Sequence, residues 1–393
     1  MAAEDPVVIV GAGLMGSAAA WALTRRGVPV VVLEQFALGH RHGSSHGSAR
    51  IVRRAYGDPL YVSLTGRAFE LWRELEAAFG APVLRMLGGL DFGAGRRVPA
   101  VAALLADAGV PHEVLPAAEA ESRWPGMLFS GDVVFHAQAG TVDAGAAVAA
   151  FLRLAESAGA TVRDSTSVAA ARPGGVVLAD GSTLTARAVV LAAGGWLPRL
   201  VAGGAVADGL GDGLALPPLT VTEQSVFHFP RRDPAAPPWP SVIHEDGRAA
   251  FYHLAGGRDG GAGDDRKVGL HDAGPAVEAA ARAVAADGAR SAAVNEAARA
   301  AVVDYVREWL PGLVPEPRGE ATCLYVTTPS EEFLLDRVNG LVLCSPCSGH
   351  GAKFAPLIGE YVADLVTGAD TAGMPGRFRL AAHRAGRAAH VSL

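Results

Sequence analysis

The sequence predicts an α/β protein of two domains, one of them built around a dinucleotide-binding β-α-β unit. Three observations lead to this prediction: a length of 393 residues, an apolar fraction of 50%, and a glycine-rich turn near the N-terminus. A chain of this length is long for one domain and sufficient for two with substantial cores. The turn, GAGLMG at residues 11–16, lies between a short apolar run and a helical pattern.

The N-terminal unit is predicted to contain a strand at residues 6–10, a helix at residues 14–26 and a second strand at residues 28–33. A tight glycine turn lets backbone amides and the positive end of the helix face a pyrophosphate. Glu34 follows the second strand roughly 20 residues beyond the glycines, where a carboxylate can hydrogen-bond a ribose hydroxyl. The candidate dinucleotide-binding residues are Gly11, Gly13, Gly16 and Glu34.

Further along the chain, apolar runs and helical patterns alternate. They predict a helix at 143–160 leading into a strand at 160–163, a hairpin at 175–184, a strand at 188–195, strands of a second sheet at 220–229 and 248–253, helices at 278–289 and 293–309, a strand at 342–344 and a helix at 354–365. Residues 256–265, rich in Gly and Asp, are predicted to form a flexible loop.

Strands of the dinucleotide-binding type occur near the start, the middle and the end of the chain, with second-sheet segments between them. We therefore expect a discontinuous cofactor domain interrupted twice by a substrate domain, with the site at their boundary. The expected cofactor domain comprises residues 1–85, 145–220 and 320–393. The expected substrate domain comprises residues 86–144 and 221–319.

Composition and charge exclude several classes of protein. The net charge is -6 and no basic run alternates with aromatic residues, so we expect no nucleic-acid partner. No apolar stretch approaches the roughly 20 residues that span a bilayer. The first strand begins almost at once, which leaves no room for a signal peptide. We expect a cytoplasmic protein without a membrane segment.

The cysteine and histidine patterns do not predict a metal site. Cys344 and Cys347 form a C-x-x-C pair, but zinc needs four ligands and the sequence offers no second pair. Both are expected to be structural, and three cysteines cannot form a disulfide framework. His40, His42 and His46 share one loop without a carboxylate or cysteine partner nearby, so we expect no metal there either.

Five motifs extend over nearly the whole chain. They are GAGLMG at 11–16, GSSHGSARIVRRAYG at 43–57, KVGLH at 267–271, CLY at 323–325 and SGHGAKF at 348–354. In order and spacing they resemble the monomeric sarcosine oxidase family, which includes N-methyltryptophan oxidase and cyclic imino-acid oxidases of antibiotic pathways. The resemblance implies a Rossmann-like FAD-binding domain of the D-amino-acid-oxidase type with a mixed-sheet substrate domain.

The resemblance also implies how the FAD is held. Cys323 corresponds to the cysteine that forms a thioether with the 8α-methyl group of FAD; the alternative is a small buried side chain. Ser44 and His46 lie in the motif that contacts the cofactor. The turn at Gly349 and Gly351 opens a helix near Ala352, whose amides are expected to point at the flavin N1/C2=O edge.

Further side chains are implied to contact the substrate or oxygen. Lys267 corresponds to a lysine at flavin N5, where a cation stabilises superoxide, and His271 to a histidine that positions the substrate amine. A surface lysine and a structural histidine are the alternatives. Arg53, by its planar fork, and Lys353, as a point charge, would hold a substrate carboxylate. Arg50 would lie over the other flavin face.

Two tyrosines and two departures from the family pattern complete the prediction. Tyr252 and Tyr325 resemble pocket tyrosines, although either could be a core aromatic. Ala49 stands where sarcosine-type members usually have threonine, and the loop at 256–265 is longer and richer in glycine than usual. Both departures lie where the non-reacting part of the substrate would bind.

The function predicted from these features is oxidation of the C–N bond of a secondary amino acid. The substrate would be sarcosine or another N-methyl or cyclic imino acid, and O2 would be reduced to H2O2 while imine or aldehyde plus amine is formed. The enzyme is expected to be a monomer. Three alternatives remain: a D-amino-acid or glycine-type oxidase, a flavin dehydrogenase, and a non-catalytic flavin-binding subunit.

Overall fold

The structure is a computed structural model that describes residues 4–202, 216–279, 294–369 and 371–384. The strands are β1 (Val7–Val10), β2 (Val30–Leu33), β3 (Arg50–Arg53), β4 (Leu84–Met86), β5 (Gly89–Phe92), β6 (Glu113–Leu115), β7 (Val133–His136), β8 (Ala139–Val142), β9 (Thr161–Arg163), β10 (Val168–Arg172), β11 (Gly175–Leu178), β12 (Thr183–Thr185), β13 (Ala188–Leu191), β14 (Thr220–Phe229), β15 (Ser241–Glu245), β16 (Ala250–Ala255), β17 (Arg266–Leu270), β18 (Gly319–Thr327), β19 (Leu334–Val338) and β20 (Leu341–Ser345). The α-helices are α1 (Leu14–Arg25), α2 (Pro59–Phe79), α3 (Val98–Asp107), α4 (Ala117–Arg123), α5 (Ala144–Ser157), α6 (Leu197–Ala202), α7 (Glu296–Trp309), α8 (Ala355–Thr367) and α9 (Leu380–Arg384).

A six-stranded sheet carries the N-terminal unit. Its order is β19-β20-β13-β1-β2-β9, and β1 pairs in parallel with both β2 and β13. The strand sequences are continuous apolar runs because both faces of a parallel sheet are covered. Helix α1 packs against α5 and α8. The predicted β-α-β unit is confirmed, with α1 ending at Arg25.

The second sheet has eight strands, in the order β18-β14-β17-β16-β15-β5-β7-β6. Most of its neighbours are antiparallel, but β15 and β5 are parallel, so the predicted mixed sheet is confirmed. Helix α7 packs on β14 and β17, and the core between them contains aromatic side chains such as Phe227 and Tyr305.

Strand β18 lies at the edge of this second sheet and carries Cys323 opposite Gln224 of β14. By sequence, the expected domain boundary at residue 320 assigns the same segment to the cofactor domain. The structure pairs this segment with the second sheet, and the division into domains stays a proposal.

The loop prediction for residues 256–265 is wrong. Gly257–Gly263 forms a turn of 3-10 helix that is fastened to the chain around Ser48. The Ser48 amide donates to Asp259 Oδ2 at 2.7 Å, and the Asp259 amide donates back to Ser48 Oγ at 2.9 Å. Glycine allows this segment its turns, but the Asp259 side chain fixes it in place.

One predicted helix begins differently from expectation, and another is not tested. The helix predicted at 354–365 begins as a 3-10 turn at Gly351–Phe354 and continues as α8. The helix predicted at 278–289 falls mostly outside the described residues. Among the residues that the structure describes, none of the helices has the length and apolar character that a bilayer crossing requires.

Candidate active site

A cavity of about 1330 Å³ lies between the two sheets. It extends from the carboxyl ends of the parallel strands β1, β2 and β13, the usual ligand position of such sheets, to strands β15 to β18 of the second sheet. Its volume exceeds the ~300–1,000 Å³ of ordinary small-ligand pockets. Such a volume suits a dinucleotide together with a substrate.

The glycine turn forms one end of the cavity. Gly11 has φ +104°, and a Cβ there would lie 2.5 Å from the Ala192 carbonyl oxygen. A Cβ on Gly16 would lie 1.9 Å from the Gly11 carbonyl oxygen. The amide of Leu14, at the start of α1, donates to Ser45 Oγ at 2.9 Å. Only glycine permits this close approach, which brings the start of α1 to the cavity wall.

Glu34 is buried at the end of β2 and lines the same end of the cavity. One carboxylate oxygen accepts from the Ala12 amide at 2.9 Å, and the other from the Phe36 amide at 3.1 Å. Burial opposes ionisation of this carboxyl, but hydrogen bonds from His40 and the Ala12 amide outweigh it and lower the pKa of Glu34. The side chain is thus a fixed, ionised acceptor, as a ribose hydroxyl requires.

The turn that precedes β3 joins the two ends of the cavity. Ser44 Oγ donates to the Leu324 carbonyl at 2.5 Å, which ties the turn to β18. Arg50 donates to the carbonyls of Ala49, Ser44 and His46 at 2.9, 3.2 and 2.7 Å. The Arg50 guanidinium therefore braces this turn from within and lines the cavity at the same time.

Cys323 and Lys267 line the cavity at the end opposite the glycine turn, which is called the ring end because the flavin ring is expected there. Cys323 is 7% exposed. Lys267 is also buried, and its Nζ donates to the Ala49 carbonyl at 3.1 Å, which excludes the alternative of a surface lysine. Burial, followed by the charge of Arg50, lowers the pKa of Lys267 to about 7.

Two tyrosines and a histidine border the same chamber. Tyr252 and Tyr325 share a side-chain hydrogen bond, and both pKa values are raised by burial. The His271 ring lies 5.7 Å from the Tyr325 ring. Burial, then the charges of Lys353 and Arg53, lowers the pKa of His271 to about 4, so this imidazole is neutral at pH 7. Both tyrosines line the cavity rather than a core cluster.

Arg53 ends β3 and is 3% exposed. Its Nη1 donates to Asp91 Oδ1 at 2.7 Å, and Arg96 Nε donates to the same oxygen at 2.7 Å. Arg53 Nη2 is buried without a hydrogen-bond partner in the part of the chain that the structure describes. The predicted capture of a carboxylate by the planar fork of Arg53 stays a prediction, with Nη1 already bonded to Asp91 and Nη2 left for a ligand.

Lys353 is held by two groups that have no predicted role. Its Nζ donates at 2.8 Å to the Tyr56 hydroxyl and at 2.8 Å to the His350 carbonyl. The Tyr56 hydroxyl also lies 3.2 Å from His350 Nδ1. Burial and the charges of Arg53 and Arg96 lower the pKa of Lys353 well below its usual value. An ammonium has three N–H donors, so one remains for a ligand.

The sequence prediction missed Asp91, Arg96, Tyr56 and His350. The available signal for Asp91 was a lone carboxylate inside an apolar strand, GLDF, which is costly to bury unless it is paired. Tyr56 and His350 lie within two of the quoted motifs, but nothing in their spacing indicates that they meet.

The turn at Gly349 differs from expectation. Gly349 has φ +73°, and a Cβ there would lie 2.7 Å from both the His271 and Tyr325 rings, so glycine leaves room for the chamber. The amides of His350 and Gly351 donate to the Cys347 carbonyl at 2.9 Å each. These two donors are already occupied within the chain, and α8 begins only at Ala355.

A flavin adenine dinucleotide fits this arrangement of residues. The glycine turn, where a Cβ on Gly11 or Gly16 would collide with neighbouring backbone, brings the start of α1 to the cavity, where a pyrophosphate can bind, and Glu34 can accept from a ribose. The opposite end offers a thiol and a buried ammonium to the ring. Among the described residues, no group of three or more His, Cys, Asp or Glu side chains could hold a metal ion.

A dinucleotide cradle joined to a chamber of buried cations is the arrangement expected of a flavin-dependent oxidoreductase. The chain belongs to the FAD-dependent oxidoreductase family, whose sequence model matches residues 6–365. Within that family it is an amine oxidoreductase of the sarcosine and N-methyl amino acid oxidase type. The resemblance stated from the motifs is thereby confirmed.

Two curated relatives illustrate the match. A monomeric sarcosine oxidase from Streptomyces avermitilis is 32% identical, over 96% of this chain and 98% of that protein. An N-methyl-L-tryptophan oxidase from Salmonella heidelberg is 29% identical, over 92% of this chain and 94% of that protein.

Solved structures agree with the fold. NikD, described as an unusual amino acid oxidase essential for nikkomycin biosynthesis, superimposes in its open form with a TM-score of 0.79 and 25% identity, covering 95% of this chain and 96% of that one. Glycine oxidase from Geobacillus kaustophilus, at 21% identity, has a TM-score of 0.74 with coverage of 95% and 97%. The predicted fold class is confirmed.

Proposed function

We propose that this enzyme oxidises the C–N bond of a secondary amino acid and reduces O2 to H2O2. The substrate would be sarcosine or another N-methyl or cyclic imino acid, and the imine product would hydrolyse to aldehyde and amine. The observation that carries the proposal is that Arg53 and Lys353 line the same cavity as Lys267 and Cys323. When bound, FAD would accept the two electrons that leave with the hydrogen of the carbon beside nitrogen as the amine becomes an imine.

Arg53 and Lys353 would bind the substrate carboxylate. Both are buried, and each keeps at least one N–H without a hydrogen-bond partner among the described residues. The burial that lowers their pKa values also means that an anion entering this space meets donors that water does not screen. Charge-assisted bonds under such conditions are the strong ones.

Neutral His271 would receive the substrate nitrogen. With its pKa near 4, the imidazole carries no charge at neutral pH and can accept a hydrogen bond from a neutral secondary amine. The rings of Tyr252 and Tyr325 would exclude water from the reacting carbon. No strong general base is needed when binding selects the unprotonated amine.

Lys267 would serve the oxygen half of the reaction. Its ammonium, fixed by the Ala49 carbonyl, would place a positive charge where negative charge develops as O2 is reduced. Cys323 would hold FAD covalently through a thioether to the 8α carbon, which supports retention of the cofactor through both half-reactions. We further propose a monomer of 40.2 kDa, to be measured by light scattering.

The proposal is tested with an amine panel scored by peroxide release. Sarcosine, N-methyltryptophan and a cyclic imino acid are compared with their decarboxylated counterparts. We expect at least one carboxylate substrate to exceed its neutral counterpart in kcat/KM by roughly a hundredfold or more, since two charge-assisted bonds are lost.

Three results would contradict this function. Equal turnover of a neutral amine would indicate a plain amine oxidase. Reduction of an artificial electron acceptor without peroxide in air would indicate a dehydrogenase. A primary D-amino acid or glycine as the best substrate would indicate the glycine-oxidase type instead.

A further inference from the structure

The end of the cavity that Arg53 and Lys353 line is called the carboxylate-binding end. We propose that Asp91 sets the electric charge of this end, so that it selects substrates with one carboxylate over substrates with two. The inference rests on the proposed amino-acid oxidase function and narrows its substrate class to monocarboxylates. Asp91 would act as a specificity-determining residue that never touches the substrate.

The charged groups at this end form one buried set. Its cations are Arg53, Arg96 and Lys353, and its carboxylates are Asp91 and Glu245. Arg96 Nη1 lies 3.4 Å from Glu245, and Arg96 Nη2 donates to the Ala55 carbonyl at 3.4 Å. Burial lowers the pKa of Lys353 and raises that of Glu245, so a bound anion would favour the protonated form of Lys353. With Lys353 protonated and both carboxyls ionised, three cations face two carboxylates, and the set lacks one negative charge.

His136 is the remaining titratable group beside Asp91, and it does not alter this balance. The imidazole is fully buried, and burial lowers the pKa of His136 to about 4 despite the nearby Asp91 charge. It is therefore neutral at pH 7. A single carboxylate supplied by the substrate would complete the charge balance.

Asp91 acts from behind Arg53. Arg53 and Lys353 line the cavity, whereas Asp91 and Arg96 are not among its lining residues. Asp91 Oδ1 accepts from both arginines at 2.7 Å, so one carboxylate neutralises the charge and fixes the orientation of Arg53. Arg53 Nη2 remains buried and unpartnered in the described part of the chain, in position to complete a ligand contact.

The donors left over match one carboxylate. Arg53 offers Nη2, and Lys353 offers the one N–H that Tyr56 and the His350 carbonyl leave unused. Arg96 has a side-chain exposure of 0% and bonds only protein groups. A second carboxylate on the ligand would find no further cation at this end among the residues that the structure describes.

The other buried cations belong to a separate group. Arg50 donates to three backbone carbonyls of the turn before β3, and Lys267 donates to one of them. The charge that most affects Lys267 is that of Arg50, whereas Lys353 responds to Arg53 and Arg96. The charge balance around Arg53 is therefore set locally, by Asp91.

The test compares two ligands of the same shape that differ by one charge, malonate and its monoamide, malonamate. Flavin-loaded wild type, Asp91→Asn and Asp91→Glu are titrated at neutral pH, and binding is followed by the flavin absorbance and by calorimetry. We expect wild type to prefer malonamate. In Asp91→Asn the ratio of the two dissociation constants should shift toward malonate by roughly ten- to a hundredfold, as removal of one unit charge about 6–12 Å away implies at an effective dielectric constant of about 20.

Asp91→Glu is the matched control, because it keeps the charge and should keep the wild-type ratio. If Asp91→Asn does not retain flavin, Glu245→Gln decides, since it removes the other carboxylate of the set; we expect a smaller shift in the same direction, because Glu245 pairs with Arg96 rather than with Arg53. An unchanged ratio in a folded variant overturns the inference while the proposed function stands. A wild type that binds neither ligand overturns both, because no carboxylate site then exists.

Discussion

The two ends of the cavity are built by different physical means. At the nucleotide end, glycines at positions 11 and 16 let the backbone itself form the wall, and Glu34 is fixed by backbone amides. At the carboxylate end, the wall consists of charged side chains, with Arg53 and Lys353 buried and their pKa values lowered. One end is specified by shape and the other by charge.

This difference teaches where the enzyme tolerates change. A backbone-built wall fails when a single methyl group is added, because the backbone cannot move aside. A charge-built wall keeps its shape when a side chain is replaced, but loses affinity by a factor set by the missing interaction. We therefore expect all-or-none effects at the first end and graded effects at the second.

The largest expected effect is that of Gly16→Ala. A Cβ at this position would lie 1.9 Å from the Gly11 carbonyl oxygen, so the turn and the start of α1 must move. We expect the variant to contain no FAD, measured as the absorbance ratio of flavin to protein. Gly27→Ala is the control, because Gly27 ends the same helix with φ +72° and open space around it. It should cost about 1 kcal/mol of stability but keep its FAD. A yellow Gly16→Ala enzyme would contradict the backbone-built wall.

The second prediction concerns the cofactor link. Cys323→Ala should lose all flavin that remains with the protein after acid precipitation, because no other described cysteine is proposed to form the thioether. Cys347→Ala is the matched control, since Cys347 also lines the cavity and accepts the Val326 amide at 3.4 Å. Intact-mass spectrometry should show flavin on Cys347→Ala alone. An unmodified wild-type chain after flavin loading would refute the covalent link.

The third prediction tests whether the ring end also depends on charge. Lys267→Met should slow the reoxidation of reduced enzyme by O2 by roughly a hundredfold or more, with a much smaller effect on reduction by substrate. Stopped-flow traces separate the two half-reactions, and equal loss in both would assign Lys267 to substrate binding.

The lowered pKa of Lys267 gives this prediction a pH dependence. The ammonium is the charged form, so its charge is lost as the pH rises through about 7. Reoxidation of the wild type should therefore slow above that pH, while Lys267→Met should show no such decline. A wild-type rate that stays level to pH 9 would show that bound FAD restores the lysine to its charged form.

The sequence predicts contacts between residues that are close along the chain better than contacts between residues that are far apart. The β-α-β unit and Glu34 are local features, and both were predicted with small errors at the element ends. Lys353 and Tyr56 are separated by 297 positions, and no residue pattern reports that they meet. Asp91 was missed because its partner lies on another strand of another sheet.

The segment at 256–263 shows the opposite error. Its composition favours flexibility, yet the Ser48 amide, 211 positions away in sequence, donates to the Asp259 side chain and orders it. Composition indicates how many conformations an isolated segment can adopt. Hydrogen bonds to distant residues determine which of them it adopts in the folded protein.

The fourth prediction grades the carboxylate end. Arg53→Met and Lys353→Met should each raise the dissociation constant of simple carboxylate inhibitors roughly ten- to a hundredfold, the effect of losing one charge-assisted bond. Neutral ligands of similar size should lose much less. Arg53→Met should also lower the unfolding free energy more than Lys353→Met, because Asp91 then keeps only Arg96 as a partner. Equal loss for charged and neutral ligands would mean that the cations act only through shape.

The smallest expected effect lies where the two ends are joined. Asp259→Asn should lower the free energy of unfolding in urea by about 1 kcal/mol, because Asp259 accepts the Ser48 amide through a charged oxygen.

Burial opposes ionisation of Asp259, but the bonds from Ser48 outweigh it and lower the pKa of Asp259. For a carboxyl with a lowered pKa in the folded state, the stabilisation is present above the unfolded-state value and is lost as the pH falls through the folded-state value. The wild type and Asp259→Asn should therefore differ at pH 7 and converge in acid. Arg41→Gln, which removes only the exposed ion pair at 3.3 Å, should change stability by less than about 0.5 kcal/mol. If Asp259→Asn matches Arg41→Gln at pH 7, the segment is ordered by its backbone turns rather than by the Asp259 carboxylate.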